Sequence, residues 1–499
     1  MARNSIVHIR SERSRVQPFI DKAIVDEKLR NVTGVIIFTG LAVFLGYLMS
    51  HALVLGLTFT GLLVGLFVSV ACISSAELGL YINMVYAFFG FHISRWFFHD
   101  ELPVGVLSDI LVVSMSLNFL IRRKRTKTHT QQFSKSPVAI VFFLIVGYTA
   151  IQLCNPEVRS IAGWWMALRK VTSVLCIIYA SFIIFENETK IIRFLKVLFV
   201  LATITAIYGC IQEWHGFFPF EMEWITSDEH RFGLMFINGG LRKMGTMSDP
   251  AEYAIVMASC AALFLVLGIF TKNIQKKIII FSGCIFMLLA MGYSGTRTAN
   301  AMIVAGLLVY VLLTIDKPAT QRFAIVAGFI FTVLMVAPIN NPTVDRFRTT
   351  FTASQDASYL VREKNRHNIQ PYIYTHPIGG GIGTTGANGI INNAGHALAG
   401  FQTDSGYLKK ALELGWIGLT LYCVLYFLVL KEGTHAYFGV ESRKLKSIYA
   451  ACVASLFSYY VAEFSQSAIG QITDMFVYYP MVALVAKGRS FLPISTPNT

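Results

Sequence analysis

The sequence predicts an all-α, polytopic integral membrane protein of about 12–14 transmembrane helices, with a long polar loop before a late helix. Three observations carry this. Hydrophobic residues make up 55% of the 499 and charged residues only 14%, where a soluble domain carries about 25% charge. Mean hydropathy is +0.58, and the apolar residues gather in runs of about 20, the length that crosses a bilayer as a helix. One polar interruption, beginning at Ile339 and running to the helix start near Asp404, is far longer than the other connections, and loops of that length usually have a function.

Taken in order, residues 1–33 mix Arg10, Arg13, Arg15, Lys22, Lys28 and Arg30 with a few acids. Phe19, Ile20, Ala23, Ile24 and Leu29 suit either a helix along the membrane surface or a tail. Met1–Asn31 lacks the apolar stretch and small-residue cleavage site of a signal peptide. Apolar runs follow at roughly 34–51, 52–72, 76–94, 103–121, 137–154, 161–185, 191–213, 250–270, 277–293, 298–315, 321–338, 405–430, 447–465 and 471–486, about fourteen segments of helix length. The division expected is a cytoplasmic segment 1–33, eleven spans within 34–338, a periplasmic loop 339–404, three spans within 405–486 and a cytoplasmic tail 487–499.

The net charge of +14 raises the question of a nucleic-acid partner. Its distribution argues against one, because the basic residues sit in short loops between apolar runs, as orientation signals do. Arg122-Arg123-Lys124-Arg125, Lys272 to Lys277, Arg443-Lys444-Lys446, Lys487 and Arg489 all fall on one side if the N-terminus is cytoplasmic. Residues 216–249 and 339–403 then lie outside. The eight cysteines lie in or beside apolar runs without C-x-x-C spacing, as buried hydrophobes do. No D-x-D, H-x-H or H-E-x-x-H pattern marks a metal site.

Within this frame, Ser248-Asp249-Pro250-Ala251-Glu252 reads as a helix start, with Asp249 as N-cap, Pro250 first in the helix and Glu252 at the capping-box position. Gly381-Ile382-Gly383-Thr384-Thr385-Gly386 fits G-x-G-x-x-G, but no βαβ unit surrounds it, so a dinucleotide site is excluded. It remains either a plain loop turn or an anion-cradling nest. Arg297 interrupts two apolar runs across a very short turn, and arginine at that depth is functional by default. Arg169 and Lys170 inside the sixth run either face an internal cavity or mark a shifted boundary. Asp109 and Asp474 are lone acids in apolar runs. Asp404 stands where the long loop enters a helix, either as an N-cap or as a general base below a loop rich in arginine. Lys409 and Glu413, spaced i,i+4, are expected to pair.

Four segments in order resemble the O-antigen ligase and O-antigen polymerase family of bacterial envelope glycosyltransferases. They are Arg242-Lys243-Met244-Gly245-Thr246 before Asp249-Pro250; Gly295-Thr296-Arg297-Thr298-Ala299; Ser358-Tyr359-Leu360-Val361-Arg362 with His376-Pro377-Ile378-Gly379-Gly380-Gly381-Ile382-Gly383; and Asp404-Ser405-Gly406-Tyr407-Leu408 with Glu413-Leu414-Gly415-Trp416-Ile417-Gly418-Leu419. The family's ligase branch usually has His where this chain has Asp404, and an acid there is common in polymerases. His396, eight positions upstream, is an alternative base.

The resemblance implies a type C glycosyltransferase-like architecture, with a glycan on undecaprenyl diphosphate as donor and another glycan as acceptor. Arg297 and Arg362 would neutralise the leaving diphosphate, because guanidinium forks match phosphate oxygens. Asp404 would take the proton of the acceptor hydroxyl in an inverting displacement. Arg242, Arg231, Arg366, His376 and His396 are the residues expected to hold substrate. No metal and no cofactor are expected. The partners implied are the lipid-linked oligosaccharide, membrane lipid, and a chain-length regulator and flippase of the same pathway, with no nucleic acid. A ligase is the nearest alternative and a lipid-linked glycan flippase the alternative of another class. The very short connection near Ile73–Ala76 lacks room for a major-facilitator signature.

Overall fold

The structure is a computed structural model that describes residues 32–121, 123–237, 239–338, 341–351 and 357–493. The surface helix or tail expected within residues 1–31 lies outside them. The chain begins with α1 (Val32–His51), α2 (Leu53–Ser74), α3 (Ala76–Phe98), α4 (Val104–Ile121), the polar α5 (Arg123–Ser134), α6 (Pro137–Ile151), α7 (Ile161–Ile184) and α8 (Glu188–Trp214). A small outer lobe follows, made of α9 (Pro219–Thr226), α10 (Glu229–Met235) and the hairpin β1 (Phe236–Ile237) and β2 (Gly240–Leu241), paired antiparallel. Then come α11 (Pro250–Phe270), α12 (Ile274–Tyr293), α13 (Arg297–Thr314) and α14 (Pro318–Val336). The long loop is itself helical in α15 (Pro342–Phe351), α16 (Ala357–Thr375) and α17 (Gly386–Asn392). The chain closes with α18 (Gly406–Gly439), α19 (Arg443–Ser465) and α20 (Ile472–Ala486).

Among the described residues, twelve helices are long and apolar enough to cross a membrane. The two remaining apolar runs of the sequence are filled by α3, 23 residues long, and by α20, only 15 residues long. The all-α, multi-pass reading therefore holds. α18 runs nine residues past the expected end at 430, through Lys431 and Glu432, to Gly439. That extension is possible because Arg489 pairs with Glu432 at 2.6 Å.

Burial explains the different lengths. In α11, 83% of the apolar window is buried, and in α19, 78%; every residue of α20 from Thr473 to Ala486 is buried. A helix shielded all round from lipid has no need to match the bilayer. α1 and α14 are only 6% buried, so their apolar surfaces face outward, as lipid-facing helices do. The central helices approach closely through small residues. A Cβ on Gly306 of α13 would lie 2.8 Å from the Ala454 carbonyl of α19, and Ser259 of α11 meets Ser455 of α19 at 2.8 Å.

The connectors sort into two ends. At one end Lys444 pairs with Glu188 at 3.0 Å, Arg193 pairs with Glu77, and Lys487 donates to the Phe182 carbonyl at 2.6 Å. This is the basic end. At the other end Trp224 donates to Asp100 at 2.8 Å, Arg346 to the Ile237 carbonyl at 2.9 Å, and Arg159 to the Gly395 carbonyl at 3.3 Å. The loop helices, the outer lobe and the turn before α13 all gather there.

Candidate active site

Asp249 caps α11 as expected, accepting from the backbone N–H of Ala251 at 2.7 Å and of Glu252 at 3.0 Å. Glu252 reaches back to the Ser248 N–H at 3.3 Å rather than to the cap residue itself. This fixes the segment Arg242–Thr246 against the turn before α13. Arg242 donates from Nε to the Ser294 carbonyl at 2.9 Å and from Nη2 to Thr296 Oγ1 at 2.8 Å. Thr296 is the residue just before Arg297, the first residue of α13.

Arg346 of α15 reaches the same turn. Gly295 has φ +64°, and a Cβ there would lie 1.6 Å from Arg346 Nη1. Only glycine leaves room for that guanidinium. In the sequence Arg346 is one of many loop arginines, and its approach to Gly295 is invisible until α15 folds back on the turn. Arg242 and Arg346 are held by neutral acceptors, two carbonyls and a hydroxyl in one case and the Ile237 carbonyl in the other. Burial lowers the Arg346 guanidinium from its ordinary value, and the charge of Arg297 lowers it further. Burial likewise lowers Arg242, with Asp249 opposing and Arg346 adding to the effect. Arg346 thus feels the charge of both Arg297 and Arg242, and the turn concentrates positive charge.

Asp404 does not cap α18. Ser405 does, accepting from the Leu408 N–H at 3.4 Å. Both residue types are good caps, and the chain uses the later one. The Asp404 carboxylate stands instead one residue outside the helix, 3.8 Å from Arg362 Nε of α16. It is partly exposed, with 26% of its side-chain surface accessible, so a substrate can reach it.

The last turn of α19 ties the two regions together. Helix ends leave carbonyls without partners, and here the site supplies them. Ser405 donates to the Glu463 carbonyl at 2.9 Å, Arg366 to the Phe464 carbonyl at 2.9 Å, and the Gly406 N–H to the Gln466 carbonyl at 3.3 Å. Thr298, next to Arg297, meets Ser465 Oγ at 2.9 Å. The turn that carries Arg297 and the corner that carries Asp404 are thus pinned to the same four residues. Arg366 also lies over the Phe464 ring at 4.9 Å. Beside it, a groove of about 410 Å³ runs between α16 and the start of α18, lined by Glu363, Arg366, His367, Tyr407 and Phe464 among others.

The glycine cluster has a packing role. α18 is interrupted at Gly415, which adopts φ +67°, and the loop after His376-Pro377 fills the gap. Trp416 N–H donates to the Pro377 carbonyl at 2.9 Å, and Gly380 N–H to the Leu412 carbonyl at 2.8 Å. A Cβ on Gly379 would come within 2.5 Å of the Glu413 carbonyl, and one on Gly415 within 2.1 Å of the Pro377 carbonyl. Broken helices are tolerated at membrane depth when neighbours satisfy the freed backbone groups. Tyr148 completes this by donating to the Leu414 carbonyl at 2.8 Å.

The expected Lys409–Glu413 pair does not form among the described residues. The carboxylate of Glu413 is buried and accepts from Thr385, through Oγ1 and through the N–H at 3.4 Å. The loop closes over it before a surface lysine can reach it. Arg169 and Asp109, read separately from the sequence, are each other's partners at 3.1 Å. Asp474 is fully buried and accepts from Tyr459 at 2.9 Å.

The remaining site candidates take other places. Arg231 lies over Trp224 at 4.2 Å and donates to its carbonyl at 2.6 Å, which anchors it within the outer lobe. His376 stacks on Tyr372 at 3.8 Å. His396 is buried, accepts from the Leu398 N–H at 3.1 Å through Nδ1, and has Nε2 3.5 Å from Glu157. Burial lowers its pKa, with Glu157 opposing. Its contacts are with the α6–α7 connector and its own loop, not with Asp404.

Residues 282–423 match a family model described as O-antigen ligase. The match takes in the arginine turn, the His-Pro-glycine loop and the start of α18. No curated protein matches the chain.

Proposed function

We propose, from the match of residues 282–423 to a family model described as O-antigen ligase, that the chain is a membrane glycosyltransferase that polymerises lipid-linked repeat units. The donor is a glycan on undecaprenyl diphosphate and the acceptor a hydroxyl of a second glycan. Arg242, Arg297 and Arg346 surround the leaving diphosphate, where fixed positive donors act on charge as it develops. The acceptor oxygen attacks the anomeric carbon from the opposite face. The bond to the diphosphate breaks, its electron pair leaves with the phosphate, and Asp404 takes the acceptor's proton. Arg362 orients that carboxylate.

The observation that carries this reading is that Asp404 is not used as a cap, and stands partly open beside Arg362 on the same helix-end scaffold as the arginine turn. The basic end of the bundle supports a cytoplasmic assignment for that end and a periplasmic one for the site, in a bacterial inner membrane. A ligase is the second reading, favoured by the description of the matching family.

Purified protein supplied with lipid-linked repeats separates the readings. Elongation of the glycan on its carrier supports a polymerase. Transfer to a lipid A-core acceptor supports a ligase, and translocation without bond formation would contradict both.

A further inference from the structure

A cavity of about 120 Å³ lies between α7, α18 and the α19–α20 connector, with Lys170, Lys410, Tyr422, Tyr426, Tyr478 and Tyr479 in its wall. Lys170 is nine residues beyond Ile161, about 14 Å from the outer end of α7 at ~1.5 Å per residue. Gly470 of the connector lies against it, since a Cβ there would sit 3.5 Å from Lys170 Nζ.

The two lysines differ. Lys410 pairs with Glu463 and lies 4.9 Å from the centre of the Tyr422 ring. Lys170 makes no ion pair among the described residues, and its side chain stays exposed. Its neighbour Arg169 shows what a charge at this depth ordinarily does, pairing with Asp109 at 3.1 Å. A lysine at membrane depth is costly unless paired or wetted, and marks a substrate path by default. Lys410 is answered in contact by Glu463, whereas Lys170 feels acids only from beyond ion-pair distance.

We propose that this cavity binds an acidic sugar of the glycan substrate, with its carboxylate on Lys170 and its ring against the tyrosines, so that the enzyme selects charged repeat units. The volume corresponds to about four waters at ~30 Å³ each, which holds the carboxylate end of one sugar, with the ring at the cavity mouth rather than enclosed. Carrier phosphate is less well served here. The guanidinium forks that match phosphate are gathered at the α13 turn, whereas an ammonium is a point charge. A lipid headgroup is disfavoured because α20, which supplies Tyr478 and Tyr479, is shielded from lipid. The proposal rests on the glycosyltransferase reading and adds the class of sugar.

The test reads binding without turnover, so its failure is distinct from a failure of glycosyl transfer, which the elongation assay judges. Purified protein is acetylated briefly with acetic anhydride, and modification at Lys170 is quantified by mass spectrometry. Methyl glucuronide, methyl glucoside and inorganic pyrophosphate serve as probes. Several-fold protection by the glucuronide and none by the glucoside is expected. The glucuronide should also raise the Tm of the wild type but not of a monodisperse Lys170→Met variant. Equal or stronger protection by pyrophosphate would assign the cavity to carrier phosphate and overturn the proposal. Protection by neither anion, equal protection by both sugars, or an unchanged Tm shift in Lys170→Met would overturn it as well.

Discussion

Asp404 Oδ1 lies 3.8 Å from Arg362 Nε, and the cap of the helix that follows is Ser405. The helix cap and the proposed base are therefore adjacent residues. Ser405→Ala removes the cap and the bond to the Glu463 carbonyl, and should cost about 0.5–2 kcal/mol of stability. A lowered Tm with residual turnover is the outcome expected. An unchanged Tm would mean that the cap is made elsewhere.

Gly295 makes room for Arg346. Gly295→Ala introduces a Cβ into the guanidinium and strains a backbone at φ +64°, and should lower turnover at least tenfold. Arg346→Ala alone should also lower it. The double variant should be little worse than the poorer single one, because both changes remove the same arrangement. Fully additive losses would show that Gly295 and Arg346 act independently.

His396 sets a pH limit on the loop that covers Glu413. Its folded-state pKa is lowered by burial, so the unfolded chain binds the proton more readily. Stability is then fully present above the ordinary histidine value of about 6.5 and is lost as pH falls through the folded value. Hydrogen exchange across residues 386–400 should accelerate between pH 7.5 and 5.5, and should not do so in a folded His396→Gln variant. Acceleration of the same size in that variant would assign the effect to another group.

The proposed sidedness rests on the basic end of the bundle. With the native cysteines replaced, Asn388→Cys, on exposed α17, should react with an impermeant thiol reagent from the periplasm. Labelling of Lys127→Cys instead would invert the orientation.

Much of the bundle was legible because apolar runs of spanning length leave few alternatives. α20 was legible in spite of its 15 residues because apolar side chains dominate all its faces after Asp474, as suits a helix buried all round. What escaped the sequence was pairing across distance. Arg169 and Asp109 are separated by 60 positions, so neither announces the other. Lys409 and Glu413 satisfy a local spacing rule, but a loop from Thr385 overrides it. Asp404 and Ser405 are both good caps, and only the path of the chain chooses between them. Arg297 was legible as a charge between two apolar runs, and Arg242 only through the segment that carries the resemblance. Arg346 joins them only because α15 returns across a glycine.

The central claim is that Asp404 takes the acceptor's proton, and one substitution tests it. Asn has nearly the shape of Asp and can still turn its amide oxygen towards Arg362, but it cannot accept the proton. Because Ser405 carries the cap, Asp404→Asn should change stability by no more than about 0.5 kcal/mol, as surface changes usually do. Purified Asp404→Asn protein given lipid-linked repeats should bind them and fail to elongate the glycan. Elongation at near the wild-type rate by that folded variant would contradict the account.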